Sequence, residues 1–180
     1  MNVKKQLILE SGLRLFYEHG IHAVGINEVL KVSGVAKKTL YHHFENKEEL
    51  IVEALNYRDE IYREWLIGRL SSVPQGKAAL MALFEAIDDW INDDVEELGV
   101  FNGCFFINAS AEFGDLDSSI NQACVHHKKQ VIQLIQKYGQ LDEDAACRIS
   151  IIKEGVITTA YTQHDKDAAK KVLPLIEHLI

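Results

Sequence analysis

Apolar residues recur at helical spacing along almost the whole chain. In Val3–His19, the positions Ile8, Ser11, Gly12, Leu15 and Phe16 fall on one side of a helix, and Gly20 is a natural stop. A long helix is predicted from Lys47 through Ile51, Leu55, Ile61, Tyr62, Trp65 and Leu66 to Ser71-Ser72, ended by Val73-Pro74-Gln75-Gly76. From Lys77 to about Val95, Leu80, Leu83, Phe84, Ile87 and Ile91 form a stripe with Trp90 beside it. Glu96–Asn102 is predicted as a loop, and Gly103–Phe113 as a short buried helix. Asp117 or Ser118 caps a helix to about Tyr138, and Asp142 caps another to about Thr162. A last helix is predicted from about Asp165 to His178, with Pro174 expected to kink or interrupt it. No strand pattern, internal repeat or low-complexity tract is present. The expectation is an all-α chain of about nine helices.

The stretch Ile26–Leu50 is organised differently. Two short helices flank Ser33-Gly34-Val35, where Gly34 tolerates a positive φ. Val29, Leu30 and Val32 give the first of them an apolar side, and Leu40 and Phe44, spaced i, i+4, point inward from the second. Lys37, Lys38, Thr39, Tyr41 and His42 are left on the outer and leading faces. Asn46 caps the following helix, with Glu48 and Glu49 in its first turn. A helix, a glycine turn and a second helix led by donors is the geometry that lays a recognition helix in the major groove.

Charge changes the picture only in its distribution. The 180 residues carry a net charge of −8, but residues 1–50 hold seven Lys/Arg against six Asp/Glu. The remainder is strongly acidic, so only the N-terminal part can approach phosphates. The odd, scattered Cys104, Cys124 and Cys147 form neither a disulfide framework nor a zinc spacing. There is no secretory signal and no apolar run of membrane-spanning length, so a soluble, cytoplasmic protein without a membrane partner is expected.

The words Ser33-Gly34-Val35-Ala36-Lys37-Lys38-Thr39-Leu40-Tyr41-His42-His43-Phe44 and Asn46-Lys47-Glu48-Glu49-Leu50, with Leu15-Phe16-Tyr17-Glu18-His19-Gly20 upstream, closely resemble the DNA-binding domain of the TetR family of bacterial transcriptional repressors. The resemblance implies a helix-turn-helix domain over 1–47 and a helical regulatory and dimerisation domain over 48–180. By match to the family motif, Lys37, Thr39, Tyr41, His42 and Lys47 are DNA-contact positions; helical geometry adds Lys38 and Asn27. Lys37 and Lys38 would meet base edges, and Tyr41 and Lys47 would hold phosphates. Val24-Gly25 stand where the family usually has two threonines, which removes one route to a phosphate.

The resemblance further implies a homodimer on a double-stranded, palindromic operator, with release by a small-molecule effector. The last two long helices would form the dimer, through Ala145, Ala146, Ile149, Ile152, Val156 and Ala160. Trp65, Phe84, Trp90, Phe105, Phe106, Asn108 and Glu112 are candidate effector-lining residues, although aromatic residues at this spacing equally describe ordinary core. Gly103-Cys104 resembles a segment through which some members sense electrophiles or oxidants; the alternative is a small buried hydrophobe. His126-His127 and His164 lack metal-ligand spacing, and no nucleophile–base set points to an enzyme, so neither metal, cofactor nor catalysis is expected.

Overall fold

A computed structural model describes residues 2–179, and among them the chain is helical without strands. The helices are α1 Val3–His19, α2 Ile26–Ser33, α3 Lys37–His43, α4 Lys47–Ser71, α5 Lys77–Ile91, α6 Phe105–Glu112, α7 Ser119–Gly139, α8 Glu143–Gln163 and α9 Ala168–Leu179, with a 3-10 turn at Glu96–Leu98. They group into two compact units. The first comprises residues up to Asp59 together with Phe105–His126; the second comprises Glu60–Cys104 and the chain from His127 onward.

In the first unit, α1, α2 and α3 pack on one another. The buried face of α1 is Ile8, Leu9, Gly12, Leu15 and Phe16, so Leu9 takes the place expected for the half-buried Ser11. Gly20 closes α1 by donating its N–H to Phe16 O. Val29 is fully buried on α2, whereas Val32, expected beside it, is 40% exposed. In an eight-residue helix only a narrow stripe reaches the core. Gly34 adopts the left-handed conformation (φ 67°, ψ 11°) and returns its N–H to Leu30 O, which ends α2 and turns the chain into α3. Leu40 and Phe44 are buried from α3. Asn46 Oδ1 accepts the Glu49 N–H at 2.9 Å while the Glu49 carboxylate accepts the Glu45 N–H, a reciprocal cap at the start of α4.

In the second unit, α5, α8 and α9 pack together. The apolar stripe of α5 is buried as expected, but the helix stops at Ile91 rather than about Val95. Asn92 turns its amide back onto Asp88 O, Asp93 has φ 67°, and the Asp93 carboxylate accepts the Phe101 N–H, so the acidic tail is used to fold the following loop. Likewise α9 begins at Ala168 and not Asp165, because Asp165 caps a turn: its carboxylate takes the Asp167 N–H and the Lys171 ammonium. Helix α9 continues through Pro174, which sits on its exposed side.

Candidate functional site

The exposed face of α3 is the first candidate. The helix is only seven residues long, and burial of Leu40 (0% exposed) and Phe44 (1%) fixes its orientation. Lys37, Lys38 and His42 are exposed on it, Tyr41 is 46% exposed, and Thr39 is half-buried. The Lys37 ammonium lies 6.0 Å from the Tyr41 ring centroid, and the rings of His42 and His43 meet edge-on at 5.1 Å. Asn27 is exposed in the first turn of α2, whose N-cap, Gly25, offers no side-chain cap. Five side chains able to donate hydrogen bonds thus share the outer surface of α2–turn–α3.

Lys47 differs from the others. It is half-buried, its Nζ donates to Ile21 O at 2.6 Å, and it lies 5.8 Å over the Phe16 ring. Burial pushes its pKa below the ordinary lysine value, with the nearby Glu112 carboxylate acting in the opposite sense.

The candidate effector-side residues divide between the units. Trp65, Phe84 and Trp90 belong to the second. Phe84 and Trp90 are buried core, and the half-buried Trp65 lines a surface groove of about 660 Å³ with Ile61, Glu64, Gly68, Arg69 and Glu97. Tyr62 links Trp65, Trp90 and His127 through edge-on contacts at 5.2, 5.7 and 5.3 Å. That aromatic cluster was only partly legible in the sequence: Tyr62 and His127 sit on α4 and α7, far apart in the chain. Phe105, Phe106, Asn108 and Glu112 belong to the first unit. Phe105 and Phe106 are buried, Asn108 is half-buried, and the carboxylate of Glu112 is engaged by the backbone of Ile21 and His22.

Cys104 is buried at 7% exposure. Its Sγ lies 3.2 Å from Lys128 Nζ, which also bonds Glu154 Oε2 at 2.7 Å. The other oxygen of Glu154 holds Lys153 Nζ at 2.5 Å. Burial alone would raise the Glu154 pKa; the charges and hydrogen bonds of Lys153 and Lys128 outweigh it and hold the carboxyl at about 2. Among the described residues no cluster of His, Cys, Asp and Glu could hold a metal ion, and no helix is long and apolar enough to cross a membrane. His127 is buried against Tyr62.

The face of α8 that could meet another molecule is not the one expected. Ala146, Ile149, Val156 and Ala160 are buried within their own chain, in a unit where α8 packs with α5 and α9. Arg148, Ile151, Gly155, Thr158 and Thr162 are exposed instead, at near-heptad spacing, with Ile151 at 71%.

Residues 8–54 match the family model described as bacterial regulatory proteins, tetR family. This stretch contains α2, the turn and α3. Over this stretch the chain is similar to the tetR family of bacterial regulatory proteins. Its similarity to the uncharacterized HTH-type transcriptional regulator YxaF of Bacillus subtilis is 47% identity over 58 residues, or 32% of this chain and 30% of that protein. The HTH-type transcriptional regulator LmrA of B. subtilis is 29% identical over 99 residues, 53% of each chain. The HTH-type transcriptional repressor KstR2 of Rhodococcus jostii is 32% identical over 85 residues, covering 45% of this chain and 42% of that one. The chain therefore spans from about a third to about half the length of these curated relatives. The likeness in fold extends further. SCO4454, a TetR-family transcriptional regulator from Streptomyces coelicolor, superposes with a TM-score of 0.86 at 25% identity, over 98% of this chain and 93% of that one. The reduced form of Escherichia coli NemR gives a TM-score of 0.83 at 20% identity over 98% and 97%, a likeness of fold.

Proposed function

We propose that the chain binds operator DNA as a homodimer and represses transcription until a small molecule releases it. The head is residues 1–47, and the regulatory and dimerisation part is 48–180. One observation carries the DNA-binding half: α3 is pinned by Leu40 and Phe44, so Lys37, Lys38, Tyr41 and His42 are presented together to solvent. Lys37 and Lys38 read base edges, Thr39 and His42 contact the groove wall, and Tyr41 and Asn27 hold phosphates. Lys47 adds a further phosphate contact only with donors not used on Ile21 O. KstR2, to which the chain is similar, is a transcriptional repressor, which favours repression over activation.

The twin copy docks on the exposed stripe of α8 with α9, giving a two-fold dimer whose heads meet successive major grooves of a palindrome. The effector is an apolar or amphipathic molecule taken near Trp65, Phe84 and Trp90. Release requires that it bind better to the conformation unable to span two half-sites. The test is fluorescence anisotropy on a duplex selected by the wild-type protein from a random library. Lys37→Ala is expected to lose affinity and selectivity; equal binding by wild type and Lys37→Ala rejects the assignment.

A second reading has its own observation. An ammonium lies 3.2 Å from Cys104 Sγ, well placed to balance negative charge developing on sulfur. On this reading the thiol adds to a quinone: an S–C bond forms and the thiol proton ends on the reduced ring oxygen. Loss of operator binding after benzoquinone treatment, absent in Cys104→Ser, supports it; equal loss in both proteins removes it.

A further inference from the structure

Helix α6 ends on Glu112, and both oxygens of that carboxylate are taken by the chain between α1 and α2. Oε1 accepts the Ile21 N–H at 2.8 Å and Oε2 accepts the His22 N–H at 2.6 Å. His22 Nδ1 also lies 3.3 Å from Oε2, and the His22 ring meets Phe113 edge-on at 4.7 Å. The same short segment is gripped from its other side. Ile21 is fully buried, and its carbonyl accepts from Lys47 Nζ at 2.6 Å. Residue Ile21 is therefore held at its N–H by the last residue of α6 and at its C=O by the first residue of α4. Gly20 makes room for this: a Cβ there would lie 3.4 Å from Glu112 Oε1, at a φ of +86°.

A loop of this kind needs no carboxylate for packing, since Ile21 and Val24 already bury it in the unit's core. What Glu112 adds is direction. Charge-assisted hydrogen bonds to two successive N–H groups fix the loop's position along α6, and they weaken steeply with misalignment. A small displacement of α6 would strain both at once. The loop leads directly into α2, and Lys47 opens the helix that follows α3, so both ends of the helix-turn-helix are tied to one peptide.

We propose that Glu112 is a positioning residue for DNA binding, anchoring the Gly20–His22 loop and, through Ile21, the start of α4 to the end of α6. The register of the DNA-binding helices is then set by the end of α6. The proposal rests on the reading of α3 as the DNA-contacting helix.

The experiment compares full-length wild type, Glu112→Gln and Glu112→Ala by amide hydrogen exchange and by operator affinity at a temperature where their circular dichroism coincides. In Glu112→Ala, exchange at Ile21 and His22 is expected to accelerate and operator affinity to fall about tenfold, with an unchanged salt slope because no phosphate contact is lost. Glu112→Gln keeps the shape and one acceptor and is expected to fall about threefold; if Glu112→Ala fails to fold, this variant carries the comparison. Removing a carboxylate by itself would strengthen binding to DNA, so a weaker complex cannot come from charge alone. Unchanged or increased affinity in both variants, with the wild type binding normally, overturns the proposal alone. A wild type that binds no duplex overturns the reading of the head, and this proposal with it.

Discussion

Lys153, 1% exposed, holds its ammonium against the carboxylate of Glu154, its immediate neighbour on α8. Lys128 takes the other carboxylate oxygen. An ammonium so deeply buried is tolerated only while its partner is charged. Glu154→Ala is therefore expected to destabilise the chain by about 3–5 kcal/mol, because it strands Lys153. Lys153→Met should cost far less, since it removes the buried charge together with the need for its partner. Urea unfolding of the two variants checks the order; equal losses would contradict it.

The same pair makes stability depend on acid. The folded Glu154 carboxyl is held at about 2, below the 4.5 of a free glutamate. Its contribution is fully present above the unfolded value and is lost as pH falls from about 4.5 toward 2. Wild type should lose stability across that window more steeply than Glu154→Gln. Parallel pH curves for the two proteins would mean the pair does not titrate on unfolding.

Much of this architecture was legible in the sequence because it rests on local rules. The i, i+4 pair Leu40–Phe44, the caps at Asn46 and Asp142 and the turn at Gly34 each act within a few residues. What escaped depends on partners distant in the chain. Glu112 reads in the sequence either as a polar residue satisfied within the structure or as one facing a cavity, and only the fold brings Ile21 and His22 to it across some ninety residues. Lys47 looked like a phosphate ligand by motif, and its bond to Ile21 O has no sequence signal. The outward face of α8 was misjudged because Ala146 and Val156 are as suited to an internal seam as to an external one.

The two lysines should separate experimentally. Lys38→Ala, at an exposed position, is expected to leave stability unchanged and to reduce the salt dependence of DNA binding by about one phosphate contact. Lys47→Met loses the bond to Ile21 O and should cost about 1 kcal/mol in unfolding free energy. Denaturation and salt titrations of both variants test this; a stability loss in Lys38→Ala with none in Lys47→Met would reverse the assignment.

Two glycines with the same sign of φ should respond differently to alanine. At Gly34 (φ 67°) nothing lies within 4 Å of an added Cβ, so Gly34→Ala meets only the backbone cost, about 1–2 kcal/mol. At Gly103 (φ 76°) the Cβ would come within 3.0 Å of Tyr161 Cγ. Gly103→Ala is expected to be the more damaging by thermal melting, with the difference shrinking in a Tyr161→Ala background.

The most direct test of the α3 assignment is the salt dependence of affinity for a selected duplex, measured by anisotropy for wild type and for Lys37→Ala/Lys38→Ala. Wild-type affinity should fall steeply with salt, and the double variant should bind weakly, with its salt slope reduced by about two and its melting temperature unchanged. Full-strength, equally salt-dependent binding by the double variant would contradict α3 as the surface that meets DNA.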